Sequence, residues 1–392
     1  MTRQAADGAS VVVVGGGVTG LSAAWWLARS GVDVLVIEKG IVGWEASGRN
    51  GGGATHHQSP LFAEEQRLWP QMDDLLGYPT EYQPKRIRVA LSARQMEELK
   101  VGVDNTRGQG FSVDWLDAKQ IREMVPLLGD NVVGGAYFAC GGHANPQRTV
   151  QAYAWALQDL GGRILQHTEV FGFTHRSGKV TGVKTTAGEF ACDSLVIAAG
   201  PQTGILTALL GAEVPVVPAR VEMIVTEPLP LMPIGGVDGN YLYGRQTLRG
   251  NLAYGGGPHE WLPVRQDSEA QRPSSPMLCN IAKRLAELFP KAAHVRVIRS
   301  WAGIVENTPD GRPVIDRLPT ADNVVVATMS SIGFGLSPAS GRAISEIVMQ
   351  GHCSFADLTS FRLSRFGNVA PNWREQRGWL PPATEGSNAG AA

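Results

Sequence analysis

The stretch Ser10-Val-Val-Val-Val14-Gly15-Gly-Gly17-Val-Thr-Gly20-Leu-Ser-Ala-Ala-Trp25 decides the fold. Four consecutive valines read as a buried strand, the glycines as a turn, and Leu21, Ala24, Trp25 and Ala28 as one apolar face of a helix. Gly31 ends that helix, Val32 to Ile37 forms a second apolar run, and Glu38 closes it, about 20 residues after the glycines. Strand, turn, helix and strand in this order make a βαβ unit for a dinucleotide. Gly15 permits the tight turn, Gly17 lets the backbone approach a pyrophosphate, and Gly20 lets the helix pack on the strand. Val18 and Thr19 then open a helix whose N-terminus faces the phosphates, and Glu38 takes ribose hydroxyls. The chain has 48 glycines in 392 residues, so a chance GxGxxG is expected on the order of once. The reading therefore rests on the neighbours of the pattern, and at this point NAD and FAD both remain open.

Working outward, Ala46-Ser47-Gly48-Arg49-Asn50-Gly51-Gly52-Gly53 reads as a loop bare enough to lie against a ligand. After Leu61 a different module begins, with capping boxes at Ser92 to Gln95 and Asp117 to Gln120 opening short helices. A helix starts at Asn145-Pro146 and stops at Gly161-Gly162. It is followed by a meander of strands through Ala191, a buried strand from Ser194 to Ala198, and Ala199-Gly200-Pro201. Short strands punctuated by Pro and Gly from Val214 to His259 suggest an antiparallel sheet, and Ile281 to Phe289 an amphipathic helix. Asn323 to Ala327 is a last buried strand, Ser330 to Leu336 a glycine loop, and Ser337-Pro338 the N-cap and first turn of a final helix. The fold class is α/β, a Rossmann-like dinucleotide-binding domain (8–60, 140–205 and 295–350) interleaved with an α+β substrate domain (61–139 and 206–294) containing a mixed or antiparallel sheet. Residues 367–392 form a C-terminal tail, expected to be disordered from Pro381 onward.

Composition narrows the function. Lys+Arg 35 against Asp+Glu 36 gives a net charge of −1, so no basic field exists to hold nucleic acid. No run approaches the ~18 apolar residues of a membrane span, and Val11 to Val14 is too short for a signal segment. Cys140, Cys192, Cys279 and Cys353 are widely spaced and suggest reduced thiols rather than disulfides or a metal site, which fits a cytoplasmic protein.

Together the N-terminal glycine unit, Ser47-Gly-Arg49-Asn50-Gly51-Gly52, Val196-Ile-Ala-Ala-Gly200-Pro-Gln202, Thr308-Pro-Asp310-Gly-Arg-Pro-Val-Ile-Asp316 and Ser331-Ile-Gly333-Phe-Gly335-Leu-Ser337 are similar to the D-amino-acid-oxidase-like flavoprotein family. The resemblance runs from about Ser10 to Phe366. Cys140 to Pro146, Glu169 to Phe173 and Arg299 to Gly311 look most like the sarcosine oxidase β-subunit type and the flavoprotein subunits of opine and hydroxyproline dehydrogenases. The resemblance implies FAD, held by Gly15, Gly17, Val18, Thr19, Gly20, Glu38 and Lys39. It adds Ser47, Arg49, Asn50 and Gly51 along the pyrophosphate and ring, Val170 at the adenine, and Ala199 and Gly200 close to the cofactor. Gly303, Gly333, Gly335, Leu336 and Ser337 come from the segments that meet the flavin, where the last helix dipole stabilises the reduced ring.

Departures from the family matter as well. Gly303 stands where monomeric sarcosine oxidases carry the cysteine bonded to flavin, so the FAD is expected to be noncovalent. Gly335 replaces a lysine, and Gly52 or Gly53 an arginine, that bind the substrate carboxylate in relatives; Val305 and Glu306 occupy an arginine segment of glycine oxidases. These changes point to an amino acid with a sizeable nitrogen substituent or ring. Tyr243 and Arg245 are its first candidate contacts, with Arg245 as carboxylate partner. Trp301 is a candidate pocket wall, Glu306 a receptor for a second cation, and Tyr254 and His57 lesser candidates; packing or solvated roles are the alternatives for each. No catalytic triad is expected, because hydride transfer from the α-carbon to the flavin leaves an imine that water hydrolyses. Three readings stand: a self-sufficient oxidase, a β-type subunit passing electrons to partner subunits, and a nucleotide-binding protein without activity.

Overall fold

The computed structural model describes residues 8–264 and 272–381; the expected disorder of 382–392 lies outside them. β1 (Ala9–Val14), α1 (Val18–Arg29) and β2 (Val34–Ile37) form the βαβ unit as read, β1 running parallel to β2 from Val11↔Val34 to Val14↔Ile37. Two of its glycines answer to backbone crowding. Gly15 sits at φ 112°, where a side chain would also overlap Ala198 O, and a methyl group on Gly20 would overlap Gly15 O. The next stretch, expected as a loop, contains a one-turn helix, α2 (Ala46–Arg49), and a two-residue strand, β3 (Gly53–Ala54). The turn is possible because Asn50 Nδ2 donates to Ala46 O (3.1 Å) and Ser47 O (2.8 Å), satisfying carbonyls a single turn leaves open.

α3 (Phe62–Leu68), α4 (Met72–Leu76), β4 (Gln83–Ala90), α5 (Ala93–Gly108), β5 (Val113–Leu116), α6 (Ala118–Met124) and β6 (Gly134–His143) follow. Both stretches start helices, but only Asp117–Gln120 closes a reciprocal capping box; Gln95 Oε1 instead accepts from Leu91 N. Ser92 accepts from Gln95 N, and Asp117 and Gln120 cap each other at 2.8 and 2.9 Å, each cap stabilising its helix by about 1 kcal/mol. α5 runs 16 residues, longer than expected, burying Val103 against the second sheet. α7 (Pro146–Asp159) starts on the Asn145 side chain, and β7 (Arg163–Leu165) then pairs parallel with β2, not with the meander. The meander is β8 (Val170–Arg176), β9 (Lys179–Thr185) and β10 (Gly188–Ile197), the last a single long strand where two were read. A short α8 (Thr203–Ala208) leads out.

β11 (Val217–Pro228), β12 (Val237–Gly239), β13 (Leu242–Gln246), β14 (Asn251–Gly256), β15 (Glu260–Trp261), α9 (Ser275–Leu288) and β16 (Val297–Asn307) come next, then β17 (Val314–Leu318), β18 (Ala321–Thr328), α10 (Gly333–Gln350) and α11 (Trp373–Gln376). The first sheet has the order β17-β18-β10-β1-β2-β7, with the β8–β9 hairpin added to β10. The second has the order β15-β11-β14-β13-β12-β4-β6-β3, with β16 on β11 and β5 on β6, antiparallel except where β12 meets β4. β16 was expected with the cofactor segments, but it pairs with β11 from Val217↔Asn307 to Thr226↔Val297, so the chain rejoins the first sheet only at β17. Helices α1, α7 and α10 cover one face of the first sheet around Trp25, Tyr153 and Leu336, and α9 covers the outer face of the second around Ile281, Leu285 and Phe289.

Two expectations near the chain end are corrected. α10 begins at Gly333 with Ile332 as its cap, so Ser337 is not an N-cap and Pro338 lies inside the helix. Donors from neighbouring elements accompany this early start: Trp69 Nε1 reaches Gly335 O (2.7 Å), Ser22 Oγ reaches Ser337 O (2.7 Å), and Trp26 Nε1 reaches Pro338 O (3.0 Å). The segment up to 381 is also not a free tail. Trp373 and Trp379 pack on Trp261, and Leu380 exchanges backbone hydrogen bonds with His259 O (2.7 Å) and Trp261 N (2.9 Å).

Candidate cofactor and substrate site

A cavity of about 560 Å³ opens at the carboxyl ends of β2, β1, β10 and β18, where the strand order reverses on either side of β1. This is where open α/β sheets bind ligands. Moving across the sheet, it is lined by Glu38 and Lys39 after β2, Gly15 and Gly17 to Thr19 after β1, Ala199 and Gly200 after β10, and Ala327 and Met329 near the end of β18, with Ser47, Asn50, Val170 and Gly333 among the remaining wall residues. Sequence reasoning missed Gln202 and Leu206 of the segment after Gly200, and Met329 and Ser331, because nothing in their types marks them as ligand contacts.

The cradle fits FAD. Glu38 is fixed by Gly16 N (2.7 Å) and Gly40 N (2.8 Å), which orients the carboxylate at the cavity edge. Ser47 Oγ accepts from Val18 N (2.9 Å) at the start of α1, and a methyl group on Gly17 would stand 3.1 Å from the same oxygen, so that glycine keeps the phosphate approach open. Ser330 and Ser331 hold φ of 48° and 73° just ahead of α10, a backbone that side chains rarely adopt. Thr308 N donates to Ser330 Oγ (3.1 Å) and Ser331 Oγ bonds Asn307 Oδ1 (3.1 Å), which holds the turn and aims the first turn of α10, Gly333 and Phe334, at the cavity.

Among the described residues neither a cysteine nor a histidine lines the cavity, and Gly303 abuts the Arg49 side chain and Ala46 rather than open space. Acid precipitation should therefore release all of the yellow colour to the supernatant. Colour left in the pellet would mean a covalent link.

The candidate substrate residues Trp301, Tyr243 and Arg245 are brought together by strand register, outside the lining of the cofactor cavity. Trp301, Met223, Gly255 and Tyr243 stand directly opposite one another across β16, β11, β14 and β13, and Arg299, Val225, Ala253 and Arg245 form the next row on the same face. The cofactor loop runs over these rows. Trp301 Nε1 donates to Arg49 O (2.8 Å), Arg245 Nη1 to Gly51 O (2.7 Å), and Arg49 Nη1 back to Ala302 O (2.8 Å), while Gly51 packs on the Tyr243 ring. Arg49 is thus a strut, also stacked over Trp44, and does not line the cavity.

Arg245 is only 7% exposed. Among the described residues no acid lies within ion-pair distance of it: Glu81, which acts on it through space, is engaged by Asn145 Nδ2 (2.8 Å) and lies 3.7 Å from Arg148. Burial pulls the guanidinium down to about 10. His143 nearby is held well below its usual range by burial and by Arg86 and Arg245, and its Nδ1 has no partner. Arg86, by contrast, is closed off by Asp238, Gly142 O and Gly244 O. The local excess of positive charge is therefore carried by Arg245.

Several expected site residues fall elsewhere. Tyr254 points to the outer face, packed on Phe289 with its hydroxyl donating to Val237 O (2.8 Å), and belongs to the core. His57 is buried beside Gly102 of α5 and Arg88; burial and that guanidinium pull it to about 4, and it does not line the cavity. Glu306 lines the cofactor cavity, on the strand face opposite Trp301. Leu336 and Ser337 are buried against α1, and Gly20 beneath Gly15. The glycines at the two usual carboxylate positions do not leave space: the His56 imidazole, tied to buried Glu65 at 2.8 Å, fills the site beside Gly335, and a methyl group on Gly52 would stand 2.9 Å from Arg245 Nη1. The missing side chains therefore do not enlarge the pocket at Gly335 or Gly52, and the size of the nitrogen substituent gains no support from them.

Comparison with known proteins gives the same picture. The FAD dependent oxidoreductase (DAO) family model matches residues 10–347. The chain is 29% identical over 373 residues to the beta subunit of sarcosine oxidase from Rhodobacter capsulatus, covering 91% of this chain and 88% of that one. It is 28% identical to one of the subunits of opine oxidase from Rhizobium meliloti, over 78% of this chain and 84% of the relative. The crystal structure of glycine oxidase from Geobacillus kaustophilus superposes with a TM-score of 0.83 at 27% identity, covering 92% of this chain and 99% of that one. A cavity at the strand-order reversal, a glycine turn shaped for a pyrophosphate and a family match spanning both sheets lead to one conclusion: the chain belongs to the DAO family of FAD-dependent oxidoreductases.

Proposed function

We propose that this enzyme oxidises the C–N bond of an N-substituted amino acid, with Arg245 as the carboxylate partner. The single observation that supports this most is the buried Arg245 guanidinium, placed beside the cofactor loop with no acid within ion-pair distance among the described residues. Such a cation is costly unless an anion reaches it. The relatives named for sarcosine and opine, both N-substituted amino acids, support the substrate class. FAD supplies the two-electron acceptor: the substrate gives up hydride from its α-carbon and a proton from nitrogen, and water converts the imine to a carbonyl compound and an amine. The protein's part is orientation. Arg245 fixes the carboxylate, Tyr243 and Trp301 wall the same sheet face, and the hydrogen bonds from Trp301 and Arg245 hold the cofactor loop at a fixed height over it.

A second reading concerns where the electrons go. Those two relatives are named as subunits, and the strands from Ile224 to His259 contain no lysine, the residue that oxygen-using monomeric members of the resemblance keep over the flavin. We therefore favour a β-type subunit that passes electrons to partner subunits. The four unpaired thiols support a cytoplasmic setting; among the described residues no helix is long and apolar enough to cross a membrane.

One experiment tests both points. Under anaerobic conditions N-substituted amino acids should bleach the flavin, and the matching amines without a carboxylate should not. Admitting air should then restore the colour slowly, and an artificial acceptor quickly. Better bleaching by the amines would overturn the substrate class; fast reoxidation by air would favour a self-sufficient oxidase.

A further inference from the structure

Glu306 is a carboxyl in the wrong place for the substrate. It lies on β16 with the parity opposite to Trp301, so it faces away from the row of Trp301 and Tyr243 and toward the first sheet. Its Oε1 accepts from Met329 N (2.9 Å) and Thr328 Oγ1 (3.2 Å), at the end of β18. Its Oε2 lies on the side of Gly200, the glycine that follows β10, and both residues line the cofactor cavity. No cation among the described residues forms an ion pair with it, and burial pushes the carboxyl up despite the backbone donors of Met329, Glu306 itself and Ser330 and the Thr328 hydroxyl. It is a pinned carboxyl group offering one oxygen to the space where the cofactor lies.

Strand order says which part of the cofactor that is. Crossing the sheet from β2 to β1 to β10 to β18, the cavity meets Glu38, then the N-terminus of α1, then Gly200, and then Glu306 with Met329. Glu38 suits the adenosine ribose and the start of α1 the pyrophosphate. The next portion of an extended FAD is the ribityl chain, whose hydroxyls are donors in search of acceptors. We propose that Glu306 is a cofactor-binding residue that accepts hydrogen bonds from the ribityl hydroxyls through Oε2. The proposal rests on the FAD reading of the cavity. It replaces the role of substrate receptor that sequence alone suggested.

The test uses the full-length apoprotein and reads binding by quenching of flavin fluorescence. Two probes are compared, FAD and an analogue whose ribityl chain lacks hydroxyls. Wild-type protein should bind FAD about tenfold to a hundredfold more tightly than the analogue, the range of a hydrogen bond to a charged group. Glu306→Ala should lose most of that preference, binding FAD weakly and the analogue almost as before. Glu306→Gln, which preserves shape should the alanine variant fail to fold, should fall between the two. Equal preference for FAD in wild type and Glu306→Gln would overturn the role of the carboxyl, as would a wild-type protein indifferent to the hydroxyls. A Glu306→Gln variant with normal FAD binding but a raised KM confined to substrates carrying a second cation would return Glu306 to the substrate. Failure of the wild-type protein to take up FAD at all would remove the cofactor reading with it.

Discussion

Gly17→Val should yield a folded protein that no longer retains FAD. The backbone at Gly17, φ −74° and ψ 171°, accepts any side chain, so the substitution introduces no backbone strain. Among the described residues the only neighbour within reach of a methyl group is Ser47 Oγ at 3.1 Å, and the rest of the branched side chain must enter the cavity that Gly17 lines. Crowding of this kind costs about 1–3 kcal/mol or more, a loss of roughly tenfold to a hundredfold in FAD affinity. Displacing Ser47 also frees the Val18 N–H it holds. Gly20→Ala makes the contrast: its methyl overlaps Gly15 O inside the βαβ unit, so destabilisation of the apoprotein should come first and flavin loss only as its result. The ratio of flavin to protein absorbance, with urea unfolding of both apoproteins, separates the two. Stoichiometric FAD in Gly17→Val would remove this turn from the phosphate site.

That contrast also marks what was legible in the sequence. β1, α1 and β2 could be read because the signals that mark them are local, although β1 also pairs with distant β10: the turn at Gly15, the helix face of Trp25 and the carboxylate of Glu38 lie within 30 residues. Faces of the second sheet depend on pairings far apart in the chain, and there the reading failed where strand parity was not used. In Asn251-Leu-Ala-Tyr-Gly-Gly256, Leu252 and Tyr254 share a face, and a strand with leucine on that side puts Tyr254 in the core. Along Trp301-Ala-Gly-Ile-Val-Glu306 the same period of two separates Glu306 from Trp301, a signal present but unread. Tyr243 and Arg245, two apart on β13, share one face by the same period. His56 had no signal at all, because its position beside Gly335 joins segments nearly 280 residues apart.

Arg245→Met should raise the concentration of amino acid needed to bleach the flavin by about tenfold to a hundredfold, corresponding to the ~1.5–3 kcal/mol of a hydrogen bond to a charged group. Two interactions disappear together. The guanidinium now donates to Gly51 O and has no acid in ion-pair range among the described residues; its remaining N–H groups are those proposed to meet the substrate carboxylate. Loss of the Gly51 bond alone acts on the loop, and so would shift the flavin spectrum and slow every substrate alike. Loss of the carboxylate contact acts on binding of amino acids only. The carboxylate role therefore requires a split: KM for amino acids rises steeply, kcat moves far less, and slow turnover of a carboxylate-free amine keeps its KM. Arg245→Lys retains a charge but not the planar pair of donors, and should recover part of the affinity without restoring the parent value. A uniform loss across acids and amines, with an altered flavin spectrum, would make Arg245 a strut for the loop like Arg49. Bleaching at the parent's concentrations would remove it from the substrate site altogether, leaving the buried charge to Gly51 O and the through-space field of Glu81.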